Sequence, residues 1–241
     1  GIKPLYYYYD QKYFIISSEL RQILSSGLIK KEIDNNGINQ ILQYQSTKAP
    51  STIIRNIKIL NPGSFGQFYK ETFNLEIKSY YKPKININKY NDDYNNIIQK
   101  VKNGVIESIE KRMIADVDVA AFLSGGIDSS IIVSMMSKIS DKKINTFSLV
   151  HEQSNYDESY YSDLISDQYK TNHYKVRISK EELISNVSEA LDSFDSPSAD
   201  GLNSYMVSKK IKEYGIKVAI SGLGGDELFS GYPQFKYWYI L

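Results

Sequence analysis

The stretch VDVAAFLSGGIDSSIIVSMMSK, Val117 to Lys138, constrains the fold more than any other part of the chain. Val117, Val119, Ala120, Ala121, Phe122 and Leu123 form a nearly continuous apolar run, the pattern of a strand buried on both faces of a parallel sheet. A glycine pair with hydroxyls and a carboxylate follows at once. Beyond it, Ile131, Met135 and Ile139 recur at four-residue spacing with Ile132 and Met136 beside them, which predicts a helix with an apolar stripe. The order is therefore strand, loop, helix, with the loop at the strand's carboxyl end.

The loop residues are Ser124, Gly125, Gly126, Ile127, Asp128, Ser129 and Ser130. Two glycines let the backbone turn sharply and approach a ligand with its amide hydrogens exposed. Those amides, the unpaired amides of the first helical turn and the helix's partial positive charge suit a polyphosphate. The hydroxyls of Ser124, Ser129 and Ser130 add donors. Asp128 would repel a bare phosphate, so its presence points to a divalent cation bridging carboxylate and phosphate oxygens. A Walker-type loop ends in Gly-Lys-Ser/Thr, and this one has no lysine.

Later segments repeat the alternation. A long helix is expected to Met113, capped by Asn91, Asp92 or Asp93, with Tyr94, Ile97, Ile98, Val101, Val105, Ile109 and Met113 on one face. Strands are expected at Ile144 to Val150, His173 to Ile178 and Ile216 to Ile220. Helices are expected at Asp157 to Tyr169, Glu181 to Leu191 and Tyr205 to Tyr214. Such alternation predicts an α/β fold, a parallel sheet with flanking helices and ligands at the strands' carboxyl ends. Leu149 and Val150 end one such strand and could form a wall for a base. After Ile220 comes SGLGGDELFSGY, Ser221 to Tyr232, where glycines leave room for a ligand and Asp226 with Glu227 can hold metal or cap a helix.

The first 82 residues read differently. Short aromatic and β-branched runs, Pro4 to Tyr9 and Lys12 to Ser18, predict a hairpin, and Ile53 to Leu60, Ser64 to Lys70 and Asn74 to Tyr81 predict strands. Short helices are expected around Leu20 to Leu24 and from Gly37 to Gln45. Tyr6 to Tyr9 divide between two strand faces, which fits a half-buried sheet better than a stacking surface. Lys82 to Tyr90 is polar, aperiodic and carries a proline, as a linker does.

Lys and Arg number 29 against 28 Asp and Glu, so charge gives no reason to expect nucleic acid or an anionic membrane as partner. The absence of cysteine removes a disulfide framework, a thiolate metal site and a cysteine nucleophile, and suits a cytoplasmic protein. His151 and His173 sit at or beside strand ends without metal-ligand spacing, and a lone histidine is more often packed than catalytic.

SGGIDSS resembles the pyrophosphate loop of the ATP pyrophosphatases, which split ATP between the α and β phosphates. GGDEL alone is similar to a diguanylate cyclase signature, but that signature sits on a hairpin, not after a buried strand. Paired with SGLGGDELFSGYPQF, SGGIDSS makes the chain resemble the glutamine-hydrolysing asparagine synthetase family. GIKPLYY, SSELRQIL and ILNPG are similar to the end of that family's glutamine-amidotransferase domain. NYDESYYSDLI and VSKKIKEYGIKVAISGLGGDE are similar to its synthetase core.

The resemblance implies an adenine nucleotide alpha hydrolase-like domain over residues 90–241, preceded over 1–85 by a smaller β-rich remnant of an N-terminal-nucleophile glutaminase. It implies a ligase using ATP and Mg2+ to adenylate a carboxylate, aspartate first, with ammonia from glutamine completing an amide in asparagine biosynthesis. Ser124, Gly125, Gly126, Asp128, Ser129 and Ser130 fall on the pyrophosphate loop. Leu123, Leu149, Ser221 and Gly222 fall on adenosine-contacting positions, and Asp128 and Asp226 on magnesium carboxylates, which makes both catalytic candidates. Partners are then small molecules, with room for a homodimer of the full-length protein.

The departures carry information too. The family's opening cysteine, its glutamine-binding residues and its C-terminal helical portion have no counterpart here, so the chain reads as an internal fragment. Leu223 stands where the family has a catalytic acid, and DSPSADGLN, Asp195 to Asn203, lacks the Thr and Arg used near aspartate; Asp200 or Glu227 could take the acid's place. Two other readings stay open: a pyrophosphate-loop ligase for another carboxylate, similar to β-lactam synthetases or surface-polysaccharide amidotransferases, and a non-catalytic interaction module.

Overall fold

The computed structural model describes residues 3–83, 93–150, 159–198 and 201–238, the side chains of Lys236 and Trp238 excepted. The chain forms two units, Gly1–Lys89 with Ser188–Leu202, and Tyr90–Val187 with Asn203–Leu241.

In the first unit, β1 (Tyr6–Tyr9) pairs antiparallel with β2 (Phe14–Ser17). The turn between them is closed by the Asp10 carboxylate, which accepts from the amides of Lys12 at 2.7 Å and Tyr13 at 2.6 Å. Helices α1 (Leu20–Ser25) and α2 (Asn35–Tyr44) follow, then β3 (Ile57–Ile59) on the other side of β1, and a hairpin of β4 (Ser64–Tyr69) and β5 (Asn74–Ser79). Tyr6 and Tyr8 pack on the cluster of Leu20, Ile23, Ile54 and Ile57, whereas Tyr9 meets the rings of Phe14, Phe68 and Phe73. The tyrosine run is thus divided between two faces, as strand geometry requires.

Two boundaries differ from expectation. Only Ile57–Ile59 of the 53–60 run pairs with β1, because Asn56 takes a left-handed φ of 68° and Ile54 makes an isolated bridge to Ile33 instead. Helix α2 begins before Gly37, since Asp34 caps it by accepting from the amides of Asn36 at 2.8 Å and Gly37 at 3.1 Å.

The second unit opens with α3 (Tyr94–Met113), capped by Asp93, whose carboxylate accepts from Asn95 at 3.2 Å. Then come β6 (Val119–Phe122), α4 (Ile127–Ile139), β7 (Asn145–Val150), α5 (Ser159–Tyr169), β8 (Asn172–Arg177), α6 (Lys180–Ser193), α7 (Gly201–Glu213), β9 (Val218–Ile220), α8 (Gly225–Phe229) and α9 (Gln234–Trp238). The four strands form a parallel sheet in the order β8-β7-β6-β9. Alternation along β6 separates two cores. Ala121 and Leu123 join Ile109, Val133, Met136, Ile144 and Ile220, while Ala120 joins Phe147, Val176 and Ile211 on the opposite face. The two cores together show why the β6 run is apolar without a break.

The predicted stripes hold in part. On α4, Ile132, Met135, Met136 and Ile139 of the predicted stripe pack on the core together with Val133, while Ile131 is exposed. On α3 only the carboxyl half, Val105, Ile109 and Met113, meets the core; Tyr94, Ile97, Ile98 and Val101 are exposed among the described residues. Helix α7 starts at Gly201, ahead of the expected Tyr205, and α9 was not expected. The remaining linker residues 84–90, Asn91, Asp92, His151, Asp157, Ala199 and Asp200 lie outside the described residues. No helix among the described residues is long and apolar enough to cross a membrane.

Candidate nucleotide site

Strand β6 sits between β7 and β9, and its chain leaves toward β7 while β9 arrives from farther along the sequence. The boundary between β6 and β9 is therefore the switch point, where open α/β sheets form a crevice beyond the strands' carboxyl ends. Both predicted loops emerge there. In the register Ala121↔Ile220, Ser221 is level with Phe122 and Ser124 follows two residues later, so both loops leave the sheet at the same end.

The loops touch. A Cβ added at Gly222 would lie 2.9 Å from the Asp128 Cβ and 3.3 Å from the Ser129 amide nitrogen. One added at Gly225 would overlap the Asp128 carboxylate itself. These glycines are required by closeness, since any side chain would fill the space that Asp128 uses. Gly125 is required twice over: its φ is +86°, and a Cβ there would lie 2.5 Å from the Tyr161 Cβ and 2.8 Å from the Ser162 amide nitrogen on α5.

Within the first loop, Ser124 Oγ and Ser129 Oγ lie 3.1 Å apart, and the Gly126 amide donates to Ser124 Oγ at 3.3 Å. Ser129 and Ser130 donate their hydroxyls back to the Gly126 carbonyl at 3.1 and 2.7 Å. Both hydroxyls, expected as phosphate donors, are here spent on the backbone, a bond that serine forms readily in a first helical turn. The amides of Ile127, Asp128 and Ser129 lie in that turn, where no intrahelical acceptor exists.

The other predicted positions divide. Ser221 is exposed and its Oγ accepts from the Leu223 amide at 3.2 Å. Leu223 is 89% exposed and so offers no wall to a pocket as placed. Leu123 is wholly buried in the core beside α4, its amide donating to the Phe147 carbonyl at 2.8 Å, so it presents no surface to a ligand. Leu149 packs with the opposite core at the end of β7. His173 is half-buried and bonded within the sheet: its Nδ1 lies 2.9 Å from Thr146 Oγ1 and its Nε2 3.2 Å from Ser148 Oγ, and burial pushes its pKa below the usual imidazole value.

One residue had no role in the sequence reading. Tyr232, at the end of the second loop, donates its hydroxyl to Glu227 Oε1 at 3.0 Å. That bond raises its phenol pKa, and the charges of Glu227, Asp226 and Asp128 act in the same direction. The motif contained the tyrosine, but no spacing rule pairs a residue with another five positions away across a turn. The packing of α5 on Gly125 likewise had no local signal.

Among the described residues, no three His, Cys, Asp or Glu side chains are arranged to hold a metal ion. Asp128 in the first turn of α4 and Asp226 in the first turn of α8 are the carboxylates that could hold magnesium, which usually takes one or two carboxylates and completes its shell with phosphate and water. Fold and site together define an α/β protein with a glycine-rich crevice at the switch point of a parallel sheet. The family can be named from the chain itself. A model of the family described as asparagine synthase matches residues 100–241, and one of the glutamine amidotransferase domain matches residues 1–81. The chain belongs to the asparagine synthase family.

It is 35% identical over 240 residues to a putative glutamine-hydrolysing asparagine synthetase 2 of Methanocaldococcus jannaschii, covering 96% of this chain and 45% of the relative. It is 33% identical over 241 residues to the glutamine-hydrolysing asparagine synthetase 1 of Bacillus subtilis, covering 98% of this chain and 37% of the relative. The chain thus spans less than half the length of these relatives. A solved NH3-dependent NAD synthetase from Campylobacter jejuni aligns with 54% of this chain and 56% of its own at TM-score 0.34 and 14% identity, too slight a likeness to add to the assignment.

Proposed function

We propose that this chain carries the ATP-using site of an amide-forming ligase, with aspartate as the first acceptor to test. A carboxylate oxygen of the acceptor attacks the α-phosphorus of ATP, the bond to the bridging oxygen breaks, and pyrophosphate leaves. Ammonia then attacks the acyl carbon, loses a proton, and AMP departs with the former carboxylate oxygen. Glutamine is the ammonia source in this reading. The carrying observation is the contact of the two strand-end loops at Asp128, Gly222 and Gly225, in a chain of the asparagine synthase family.

The first-turn amides of α4 and the hydroxyls of Ser124, Ser129 and Ser130 bind the polyphosphate; the two back-bonded serines rotate to do so. Asp128 and Asp226 are the residues that would hold magnesium, which when bound neutralises charge on the phosphate oxygens. Ser221 and Gly222 border the nucleoside. Leu123, being buried, supports the loop from beneath instead.

A second reading rests on Leu223. A leucine can neither take a proton nor bind an ammonium group, and its exposure at the loop leaves the acid's place unfilled, which favours a different carboxylate as acceptor. ATP/pyrophosphate exchange across a panel of carboxylates separates the two. Exchange with aspartate alone supports the first reading, exchange with another acid the second, and none with any acid sinks both.

A further inference from the structure

Helix α5, against which Gly125 lies, packs Ile165 and Tyr169 on the core it shares with α4 and meets the β8 region through polar groups. Ser162 and Ser166 lie one turn apart on its buried face. Ser162 brings its amide nitrogen against Gly125, whereas Ser166 Oγ accepts the Thr171 hydroxyl at 3.0 Å. Thr146 Oγ1, on β7, lies 2.8 Å from Thr171 Oγ1 and 2.9 Å from His173 Nδ1, and Ser148 Oγ lies 3.2 Å from His173 Nε2. Thr146 and Ser148 are buried, and none of these groups takes part in the proposed reaction. One proton per hydroxyl fixes the direction of the whole chain. Thr171 gives its hydrogen to Ser166, so between Thr146 and Thr171 the donor is Thr146. Thr146, its hydrogen spent, accepts from His173 Nδ1–H, which leaves Nε2 bare and accepting from Ser148. The neutral imidazole thus carries its proton on Nδ1.

Hydrogen bonds are directional where apolar contacts slide, so a fully paired chain of this kind sets where α5 sits along the sheet. A second proton, on Nε2, makes both ring nitrogens donors, and Ser148 must turn its hydrogen away. The new charge also competes for Asp163, which Lys175 holds at 2.6 Å and which directly follows Ser162. Burial opposes that proton most, Asp163 of α5 favours it, Lys175 of β8 opposes it and Asp167 of α5 favours it, while β7 carries no charged side chain. We infer that His173 is a positioning residue for the glycine loop: bonded as Nδ1–H, it holds α5 against Gly125 through Thr146, Thr171 and Ser166, and a second proton loosens that seat and weakens polyphosphate binding. The inference rests on the proposed nucleotide function for its effect on binding, and on α5 alone for the rest.

The test begins without ligand. The chain has two histidines, so imidazole nitrogen shifts are assigned by comparison with His173→Gln, and a bare Nε2 beside a protonated Nδ1 is expected above the imidazole range, at about pH 7.5. The opposite tautomer overturns the inference. Amide protection over α5 and at Ser130, whose amide donates to the Gly126 carbonyl, should fall roughly fivefold from about pH 7.5 to about pH 5 in wild type and hold in His173→Gln. An equal fall in both proteins, or none in wild type, overturns it. Asp163→Asn keeps the imidazole and removes a charge that favours its second proton, so the fall should move to lower pH; an unmoved midpoint counts against the linkage. Calorimetry with Mg2+ and the α,β-methylene analogue of ATP should show affinity falling over the same range by roughly fivefold relative to His173→Gln, and by reciprocity the bound analogue should lower the proton affinity of His173 by the same factor. Binding with the same pH profile in both proteins overturns the effect on binding. Wild type that binds no analogue at any pH sinks the proposed function, and the ligand-free exchange then decides the positioning role by itself.

Discussion

Alanine at Gly125 and alanine at Gly225 are expected to fail in different ways. At Gly125 the φ of +86° places an L-residue in the left-handed half of the map, a cost of about 1–2 kcal/mol. The new Cβ also meets the Tyr161 Cβ at 2.5 Å and the Ser162 amide nitrogen at 2.8 Å, atoms fixed to the α5 backbone that cannot swing aside. Overpacking of that kind adds about 1–3 kcal/mol. The sum, roughly 2–5 kcal/mol, is a large share of the ~5–15 kcal/mol that holds a domain folded.

At Gly225 the obstacle is the end of a flexible side chain, the Asp128 carboxylate. Moving it off its rotamer costs about 0.5–1.5 kcal/mol. The gain of about 0.8–1 kcal/mol for Ala over Gly in a helix offsets much of this. Urea unfolding followed by circular dichroism should therefore show a midpoint lower by roughly 1–2 M for Gly125→Ala, and little change for Gly225→Ala, at unchanged slope. Binding of Mg-ATP should show the reverse priority, with Gly225→Ala stable but weakened because Asp128 no longer lies where the cation would meet it. A Gly225→Ala protein that is stable and binds Mg-ATP normally would refute the assignment of Asp128, and a Gly125→Ala protein within 0.5 kcal/mol of wild type would refute the packing argument.

Asp128→Asn or Asp226→Asn should weaken Mg-ATP by roughly 10–100-fold while leaving adenosine binding nearly unchanged, and equal weakening of both ligands by calorimetry would reassign these residues to structural roles. Leu223→Glu, at a position 89% exposed, should cost little stability and should raise aspartate-dependent ATP/pyrophosphate exchange if aspartate is the acceptor; no rise favours another carboxylate. Burial lowers the pKa of His173, so its contribution to stability is present above about pH 6.5 and is lost as pH falls through its own lowered pKa, because the unfolded chain takes up the proton first. His173→Gln should flatten that acid-side fall in the urea midpoint, and an unchanged pH profile would dismiss the linkage. The 241-residue chain, having no cysteine, should release no glutamate from glutamine, as a direct glutamate assay would show.

Where a residue's role depended on its own strand or helix, the sequence announced it. The apolar run of β6 and its glycine loop read correctly because burial on two faces leaves no polar positions, and because strand, turn and helix were contiguous. The Asp93 and Asp34 caps are local in the same sense, although the second moved the start of α2 by two residues. What could not be read depended on neighbours distant in sequence. On α4 the predicted Ile132, Met135, Met136 and Ile139 do pack on the core, but with α3 and α5 both against this helix Val133 is wholly buried too and Ile131 is left exposed. Leu123, which the resemblance puts on an adenosine-contacting position, is core instead, packed with Val133 and Ile220 as its place in the apolar run implies. The Tyr232 to Glu227 bond needed the chain reversal at Ser230, a left-handed serine that no composition rule foretells.

The sheet order carries a consequence for how the site comes into being. Strands β6, β7 and β8 follow one another along the chain and can pair as soon as each helix between them forms. Strand β9, only three residues long and at the edge of the described sheet, must return across roughly 100 residues to lie beside β6. Contacts of such sequence separation are slow to form. A nascent chain therefore holds Asp128 and its glycine loop early but lacks Gly222, Gly225 and Asp226 until the last strand docks. Under the proposed function the crevice is in effect a checkpoint: a partly folded chain has only half a grip on nucleotide, and binding, once the crevice is complete, clamps this short edge strand of the described sheet.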